Sequence, residues 1–386
     1  LTGQNTPRHG IYTVNSSERG KSEDRALIPT PNTLSIQDDN LTFAHALRAA
    51  GYHTATMGKW HISDDPTRNG FDVNIGGYHG GGPYLGGYHS PFDYPNCKQE
   101  DEGEYLTDRL TDEAIRYIEA HRNEKWLLYL PHYAVHTPLQ AKQELKKRYA
   151  DRPATEAHHN PVYAAMIESV DEGIRRLMRC LDELGLAENT IVIFTSDNGG
   201  AYRISKQWPL RAGKGSYFEG GIRVPFLVRW PGKVEAGSVS NVPITHMDLF
   251  PTLLEVTGAD APGGKALDGD SILPVLTGAA EMPERPLFFH FPVYLQNGNA
   301  ETHDPKFRTR PGSVVRMGDW KLHEYFEDGR LELYNLAEDL GERNDLAANR
   351  PDKARELHEL LKDWRQRTNA PVPAERNPEF RASSRR

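Results

Sequence analysis

The sequence predicts an α/β fold: a mostly parallel central sheet sandwiched by helices, followed by a smaller C-terminal antiparallel sheet with a helix. Two observations carry this. Helical stripes alternate with short apolar, β-branched runs along the first two thirds of the chain, the pattern of strands joined by crossover helices. Near residue 283 the pattern gives way to short runs separated by the turn signals Gly318-Asp319 and Asp328-Gly329, which read as an antiparallel meander. The expected organisation is a domain over 1–285 and a subdomain over 286–386 that ends in an extended tail.

Residues 43–50 read as a helix with Thr42 as N-cap, leading into a turn at Gly51. Residues 108–121 look helical, and 126–130 form a short apolar run typical of a buried strand. Over 162–184 the apolar positions Tyr163, Met166, Ile167, Val170, Ile174, Leu177 and Leu181 make one helical stripe, which is core packing. Two further strands are expected, at 190–195 and 224–230. The meander is placed at 313–317, 320–325 and 331–336, and an amphipathic helix follows at 351–367 with Pro351 in its first turn.

With 386 residues, 37% hydrophobic and 26% charged, the chain can bury a substantial core. A net charge of −8 excludes a nucleic-acid binder that works through a general basic field. Any anion specificity must come from a local pocket. No apolar run reaches the length of a membrane span. Cys97 and Cys180 are the only cysteines, too few for a disulfide scaffold or a thiolate metal site, and their pairing is left open.

Four loops carry residues suited to an oxyanion. In Gly58-Lys59-Trp60-His61, an extended segment would turn Lys59 and His61 to one face, so that both reach one anionic group. A surface turn with unrelated polar residues is the alternative. Asp197 and Asn198 follow a predicted strand, where open α/β sheets bind ligands, and offer two hard oxygen donors for Ca²⁺ or Mg²⁺. A plain turn would use the same residues. His136 lies in a loop before Pro138. Lys214 is flanked by Gly213 and Gly215, which expose its ammonium and backbone N–H groups. Together these make a polarising metal and cations around a tetrahedral oxyanion, with a histidine to protonate a leaving group.

The glycine-rich segment 76–92 interleaves Tyr78, His79, Tyr84, Tyr88 and His89 and reads either as a substrate wall or as a surface excursion. His290, Phe291, Tyr294, Arg308 and Arg310 form a second polar–aromatic group. Its arginines would pair with carboxylates or sulfates of a substrate, or lie on a solvated face.

These motifs resemble those of the type I, formylglycine-dependent sulfatases of the alkaline phosphatase superfamily. The resemblance rests on residues 51–61, on Ala134-Val135-His136-Thr137-Pro138 and on Phe194-Thr195-Ser196-Asp197-Asn198-Gly199. It extends to Gly213-Lys214-Gly215, Glu219-Gly220-Gly221-Ile222-Arg223-Val224-Pro225 and Leu249-Phe250-Pro251-Thr252-Leu253-Leu254. It implies that Asp197 and Asn198 coordinate a divalent cation, usually Ca²⁺ (Mg²⁺ being the other candidate), and that Lys59 and Lys214 hold the sulfate oxygens. His61 would contact a formylglycine hydrate, and His136 would help protonate the leaving alcohol. The loops are similar to those of bacterial polysaccharide sulfatases, which implies a sulfated glycan substrate and a secreted or periplasmic location, with His79, His89, His290, Arg308 and Arg310 as substrate-binding candidates.

The chain departs from the family at one point. Leu1-Thr2-Gly3 and Pro7-Arg8-His9-Gly10 resemble the residues just C-terminal to a Cys-x-Pro-Ser-Arg (or Ser-x-Pro-Ser-Arg) signature, which the sequence does not contain. Neither Cys97 nor Cys180 has that context. The expectation is that the 386-residue chain alone binds metal poorly, lacks a sheet strand and does not turn over sulfate esters. The alternatives are a phosphate or phosphonate ester hydrolase of the same superfamily and a non-catalytic glycan-binding relative.

Overall fold

The computed structural model describes residues 1–155 and 157–381. In chain order the main elements begin with α1 (Phe43–Ala49), β1 (His53–Met57), β2 (Val73–Ile75), β3 (Asp93–Tyr94), β4 (Cys97–Lys98), α2 (Leu106–Ala120) and β5 (Trp126–Tyr129). They continue with α3 (Gln143–Ala150), α4 (Pro161–Glu183), β6 (Val192–Thr195), α5 (Glu219–Ile222), β7 (Phe226–Arg229), α6 (Leu249–Thr257) and α7 (Leu273–Thr277). The last third holds β8 (Leu287–Phe291), β9 (Leu295–Gln296), β10 (Phe307–Thr309), β11 (Gly312–Met317), β12 (Trp320–Tyr325), β13 (Leu331–Asn335) and α8 (Pro351–Thr368). The chain divides into two compact units. One comprises Leu1–Gly3, Ile36–Ile193 and Val228–Glu281; the other comprises Gln4–Ser35, Phe194–Leu227 and the described chain from Met282.

The first unit is built on a parallel sheet in the order β2-β1-β5. Alternation along β5 shows how both faces are covered. Trp126 and Leu128 join a core with Ala55, Met57, Leu110, Ala114, Met166 and Leu177, which brings in α2 and α4. Leu127 and Tyr129 join a second core with Phe43, Leu47, Phe71 and Phe250, which brings in α1 and α6. A parallel strand covered on both faces reads as one continuous apolar run, which is why 126–130 carries no alternation. The Thr42 N-cap holds, with its N–H donating to His45 Nδ1 at 3.1 Å. The predicted stripe of α4 is buried at Met166, Leu177 and Leu181, whereas Ile167 is 48% exposed. Gly173 lets α4 approach α2, since a Cβ there would meet Thr111 Oγ1 at 2.6 Å.

β6 and β7 form a separate two-stranded sheet, and the division between the units falls inside both strands. Both are shorter than the sequence suggests, and neither is fully buried: Phe194 and Leu227 are exposed.

The second unit is built on an antiparallel sheet in the order β13-β12-β11-β8. The three meander strands lie where the turn signals place them. The fourth strand, β8, extends the sheet through Leu287-Phe288-Phe289-His290-Phe291, a run that no turn signal announces. α8 packs Leu357, Leu361 and Trp364 against Phe288, Val315, Leu322 and Leu333, and the Phe288 and Trp364 rings stack at 4.8 Å. The described part of the tail, to residue 381, is tied down: Asn377 N–H donates to Ala26 O at 3.0 Å, and Leu27 bridges Arg376; the expected extended tail also takes in residues 382–386, which lie outside the described residues.

Candidate functional site

The expectation that Lys59 and His61 share a face of an extended segment is not how the backbone runs. β1 ends at Met57, Gly58 has φ +120° and His61 has φ +74°. Gly58 is required there, because a side chain would collide with Pro131 O. Gly58 N–H donates to Ile75 O at 2.8 Å and Lys59 N–H to Pro131 O at 2.7 Å, so the turn is tied to the end of β2 and to the chain just after β5. Between the two candidates Trp60 is buried, edge-on to Phe71 at 5.6 Å, with its indole N–H donating to Ser63 Oγ at 2.6 Å. An inward tryptophan thus holds the half-buried Lys59 and His61 on either side of it.

Around His61 the glycine-rich segment closes in. His61 N–H donates to Tyr78 O at 3.0 Å, and the His61 and His79 rings lie 6.3 Å apart. A Cβ on Gly81 would run into the His61 ring, and one on Gly82 would stand 3.0 Å from His136 Nδ1. Gly81-Gly82 is therefore the spacer that passes between the two histidines. His136 N–H donates to Tyr133 O at 2.9 Å, and its Nδ1 lies 2.8 Å from Thr137 O. A carbonyl only accepts, so Nδ1 carries a proton and Nε2 is the nitrogen that takes or gives one.

The aromatic residues of 76–92 divide by role. Tyr88 is fully buried and its hydroxyl donates to Tyr133 O at 2.7 Å and His136 O at 2.9 Å. It holds the His136 loop from below and offers no stacking face. Burial pushes its phenol well above the ordinary value. Tyr84, 63% exposed, and the half-buried His79 keep faces for a ligand. His89 is exposed but lies against the Tyr105 ring at 5.1 Å.

In the second unit, Asp197 and Asn198 follow β6 in a turn where Ser196 Oγ donates to Asn198 O at 2.9 Å. Asn198 Nδ2 donates to Gly199 O at 2.9 Å, which fixes the amide and presents Oδ1 as an acceptor. Asp197 is exposed and supplies a carboxylate beside it. Two oxygen donors from adjacent residues fit a hard divalent cation that fills its shell from further ligands.

This turn is packed backbone to backbone on the Lys214 loop. Gly199 N–H donates to Gly221 O at 3.0 Å, and Lys214 N–H donates to Gly200 O at 2.9 Å. Side chains on Gly199, Gly213, Gly220 or Gly221 would each strike a carbonyl oxygen of the facing segment. Of the two glycines that flank Lys214, Gly213 thus serves close approach to the Asp197–Asn198 turn. Arg308 lies under the loop, its Nη1 donating to Lys214 O at 3.1 Å and its Nε to Gln296 O at 3.1 Å. Burial, with Arg19 and Arg203 nearby, lowers its pKa.

Two substrate candidates are engaged in packing. His290 is buried, with Nδ1 2.7 Å from Ser313 Oγ and Nε2 3.0 Å from Pro371 O. Burial pushes its imidazole down to about 4, so it is neutral at neutral pH. Arg310 is held by Asp304 Oδ2 at 2.5 Å and Glu327 Oε2 at 2.8 Å. Both side chains make these contacts within the second unit.

Lys321 and Glu342, which carry no sequence signal of their own, join Glu219 in anchoring the Lys214 loop. Lys321 Nζ, fully buried, lies 2.9 Å from both Glu219 Oε1 and Glu342 Oε1. Glu342 Oε2 accepts from Glu219 N–H at 2.6 Å, and Arg211 donates to Glu342 O at 2.6 Å while its guanidinium lies 3.7 Å over Phe218. Burial alone would raise the Glu342 carboxyl, but Lys321, His323 and the Glu219 amide outweigh it and hold the group at about 2.

Cys97 and Cys180 are both free and buried, and burial raises the Cys97 thiol to about 11 and also raises Cys180. Neither fits a formylglycine precursor, in context or in access.

The chain is similar to known proteins over most of its length. A model of the sulfatase family matches residues 1–259, and a model of the N-sulphoglucosamine sulphohydrolase C-terminal region matches 213–368. A sulfatase from Formosa agariphila is 30% identical over 95% of this chain and 77% of its own length. Human N-acetylgalactosamine-6-sulfatase is 30% identical over 97% of this chain and 76% of its own. Among solved structures, Ps i-CgsB in complex with k-i-k-neocarrahexaose superposes with a TM-score of 0.73 at 26% identity, covering 92% of this chain and 85% of that one. A phosphonate monoester hydrolase from Silicibacter pomeroyi shares the fold, with a TM-score of 0.67 at 19% identity, over 95% of this chain and 84% of that one. Motifs, fold and relatives agree: the chain belongs to the sulfatase family of sulfuric ester hydrolases.

Proposed function

We propose that the protein hydrolyses sulfate esters of a sulfated carbohydrate, releasing inorganic sulfate, and that Lys59, His61 and His136 of the first unit and Lys214, Asp197 and Asn198 of the second each contribute to its working set. The observation that carries this reading is the packing of the Asp197-Asn198-Gly199-Gly200 turn on the Lys214 loop, which joins a hard-metal pair and a cation on adjoining backbone. The named substrates of relatives support the class: N-acetylgalactosamine-6-sulfatase by its name, and the neocarrahexaose complex by its ligand.

The roles follow from charge. A sulfate monoester carries negative charge on its non-bridging oxygens and gains more on the bridging oxygen as the bond between sulfur and that oxygen breaks. Lys59 and Lys214 neutralise the former. His136, as imidazolium, gives a proton to the latter from Nε2 while Thr137 O holds Nδ1–H. The new bond to sulfur would come from an oxygen of a formylglycine hydrate, a group whose signature the 386 residues do not contain, and His61 would take part in proton transfer on that side. Asp197 and Asn198 would hold Ca²⁺, or Mg²⁺, whose charge when bound stabilises the developing oxyanion. Tyr84, His79 and His89 are the ring-bearing candidates for the sugar, and Arg308 acts by supporting the Lys214 backbone. The protein is proposed to act outside the cytoplasm, secreted or periplasmic; among the described residues no helix is long and apolar enough to cross a membrane.

The test is sulfate release by the native protein and by K59A, K214A and H136A. Each lysine variant is expected to lose about 10²–10³-fold in kcat/KM. H136A should lose most on substrates with poor leaving groups and least on activated aryl sulfates. Wild-type rates in all three variants would remove these residues from the working set.

A further inference from the structure

Outside the candidate site, one cluster in the first unit has metal-ligand chemistry. His53 opens β1, His121 caps α2 at its C-terminal end, and Glu124 lies three residues later, just before β5. His121 Nδ1 is 2.5 Å from Glu124 Oε2, and His53 Nε2 is 3.4 Å from the same oxygen. The two imidazole rings lie 4.8 Å apart at 30°, and one ligand atom from each residue falls within 4.8 Å of the others.

We propose that His53, His121 and Glu124 form a second metal site, selective for Zn²⁺ or a similar transition-metal ion and distinct from the Asp197–Asn198 pair. Two imidazoles and one carboxylate are the donor set that zinc prefers, and calcium and magnesium do not. Tetrahedral bonds of about 2.0–2.1 Å put ligand atoms roughly 3.3 Å apart, so the cluster needs only a small side-chain adjustment to close on an ion.

The backbone supports this geometry from three directions. His121 N–H donates to Tyr117 O at 3.1 Å, ending the helix, and Glu124 N–H donates to His121 O at 2.9 Å, fixing the turn. His53 N–H donates to Lys125 O at 2.9 Å, which locks the first residue of β1 beside that turn. The Tyr117 ring packs on His121 at 4.5 Å and limits its rotation. A cation there also meets the negative end of the α2 dipole. With His53 and Glu124 about half exposed, water can enter and complete the shell. The site lies at the N-terminal end of β1, whereas Lys59 and His61 follow its C-terminal end. An ion held here ties the start of β1, the end of α2 and the turn before β5 together at the N-terminal end of the parallel strands and acts as a staple.

The experiment is Zn²⁺ titration by calorimetry of tag-free native protein, with saturating Ca²⁺ throughout, alongside H53Q/H121Q and E124Q. Expected are one zinc bound per chain, a rise in Tm on zinc addition, and a tetrahedral-type visible spectrum with Co²⁺ as probe. All three should be lost in H53Q/H121Q, and E124Q should weaken binding at least tenfold. Far-UV circular dichroism of the variants should match the native protein, since none of the replaced side chains is fully buried. No zinc uptake by the native protein, or uptake and Tm shift unchanged in H53Q/H121Q, overturns the proposal.

Discussion

At the residue scale, glycine sets the geometry of both parts of the candidate site. Gly81 passes so close to the His61 ring that a methyl group would collide with it. The variant G81A is expected to lower kcat/KM by at least about tenfold through displacement of His61, at little cost in Tm, because Gly81 lies outside the main cores. Stability by thermal melt and turnover on the same sample separate the two effects. Tyr88 gives a second test. Y88F removes two hydrogen bonds to the His136 loop, and it should cost about 1 kcal/mol of stability together with a fall in kcat that exceeds any rise in KM. Much at this scale is legible in the sequence. Lys59, His61, His136, Lys214, Asp197 and Asn198 are all carried on loops that follow strands. The extended geometry expected to pair Lys59 with His61 is wrong, since positive φ at Gly58 and His61 breaks it. His290 and Arg310 could not be separated from a ligand site by sequence, because their partners Ser313, Pro371, Asp304 and Glu327 come from folding.

At the element scale, the Lys214 loop is held by a buried ionic cluster on the antiparallel sheet. Lys321, Glu219 and Glu342 are all buried, so removing the ammonium that lies 2.9 Å from both carboxylates leaves them only the more distant Arg223 and Arg316, His323 and the Glu219 amide. K321M should cost about 3–5 kcal/mol, measured by urea unfolding, and should lower activity in step with the fraction unfolded. The pH dependence has a definite sign. Glu342 is depressed from 4.5 to about 2 in the folded protein, so its contribution is present above pH 4.5 and is lost as the pH falls toward 2. That contribution amounts to about 3 kcal/mol, and E342Q should flatten this limb of the stability curve. A sequence cannot show such a cluster: Glu219, Lys321 and Glu342 are over a hundred residues apart at the extremes. The four-strand sheet is only partly foreseeable for a related reason. Turn signals mark hairpins, whereas β8 reaches β11 across the loop that includes β9 and β10.

At the scale of the whole molecule, the alternation of helix and strand is enough to predict parallel sheet followed by antiparallel sheet, and the family follows from the motifs on its loops. The compact units cut across the chain order, with 4–35 and 194–227 grouped with the C-terminal sheet. No periodicity in a single sequence shows which distant segments will pack together. Asp197, Asn198 and Lys214 belong to one unit, and Lys59, His61 and His136 to the other. The sequence relatives are sulfatases, and a phosphonate monoester hydrolase shares the fold. The most direct measurement is therefore kcat/KM of the native protein on sulfated oligosaccharides against matched phosphate and phosphonate monoesters. Sulfate release at least about 100-fold more efficient than either competitor is the predicted result; preference for the phosphorus esters would contradict it.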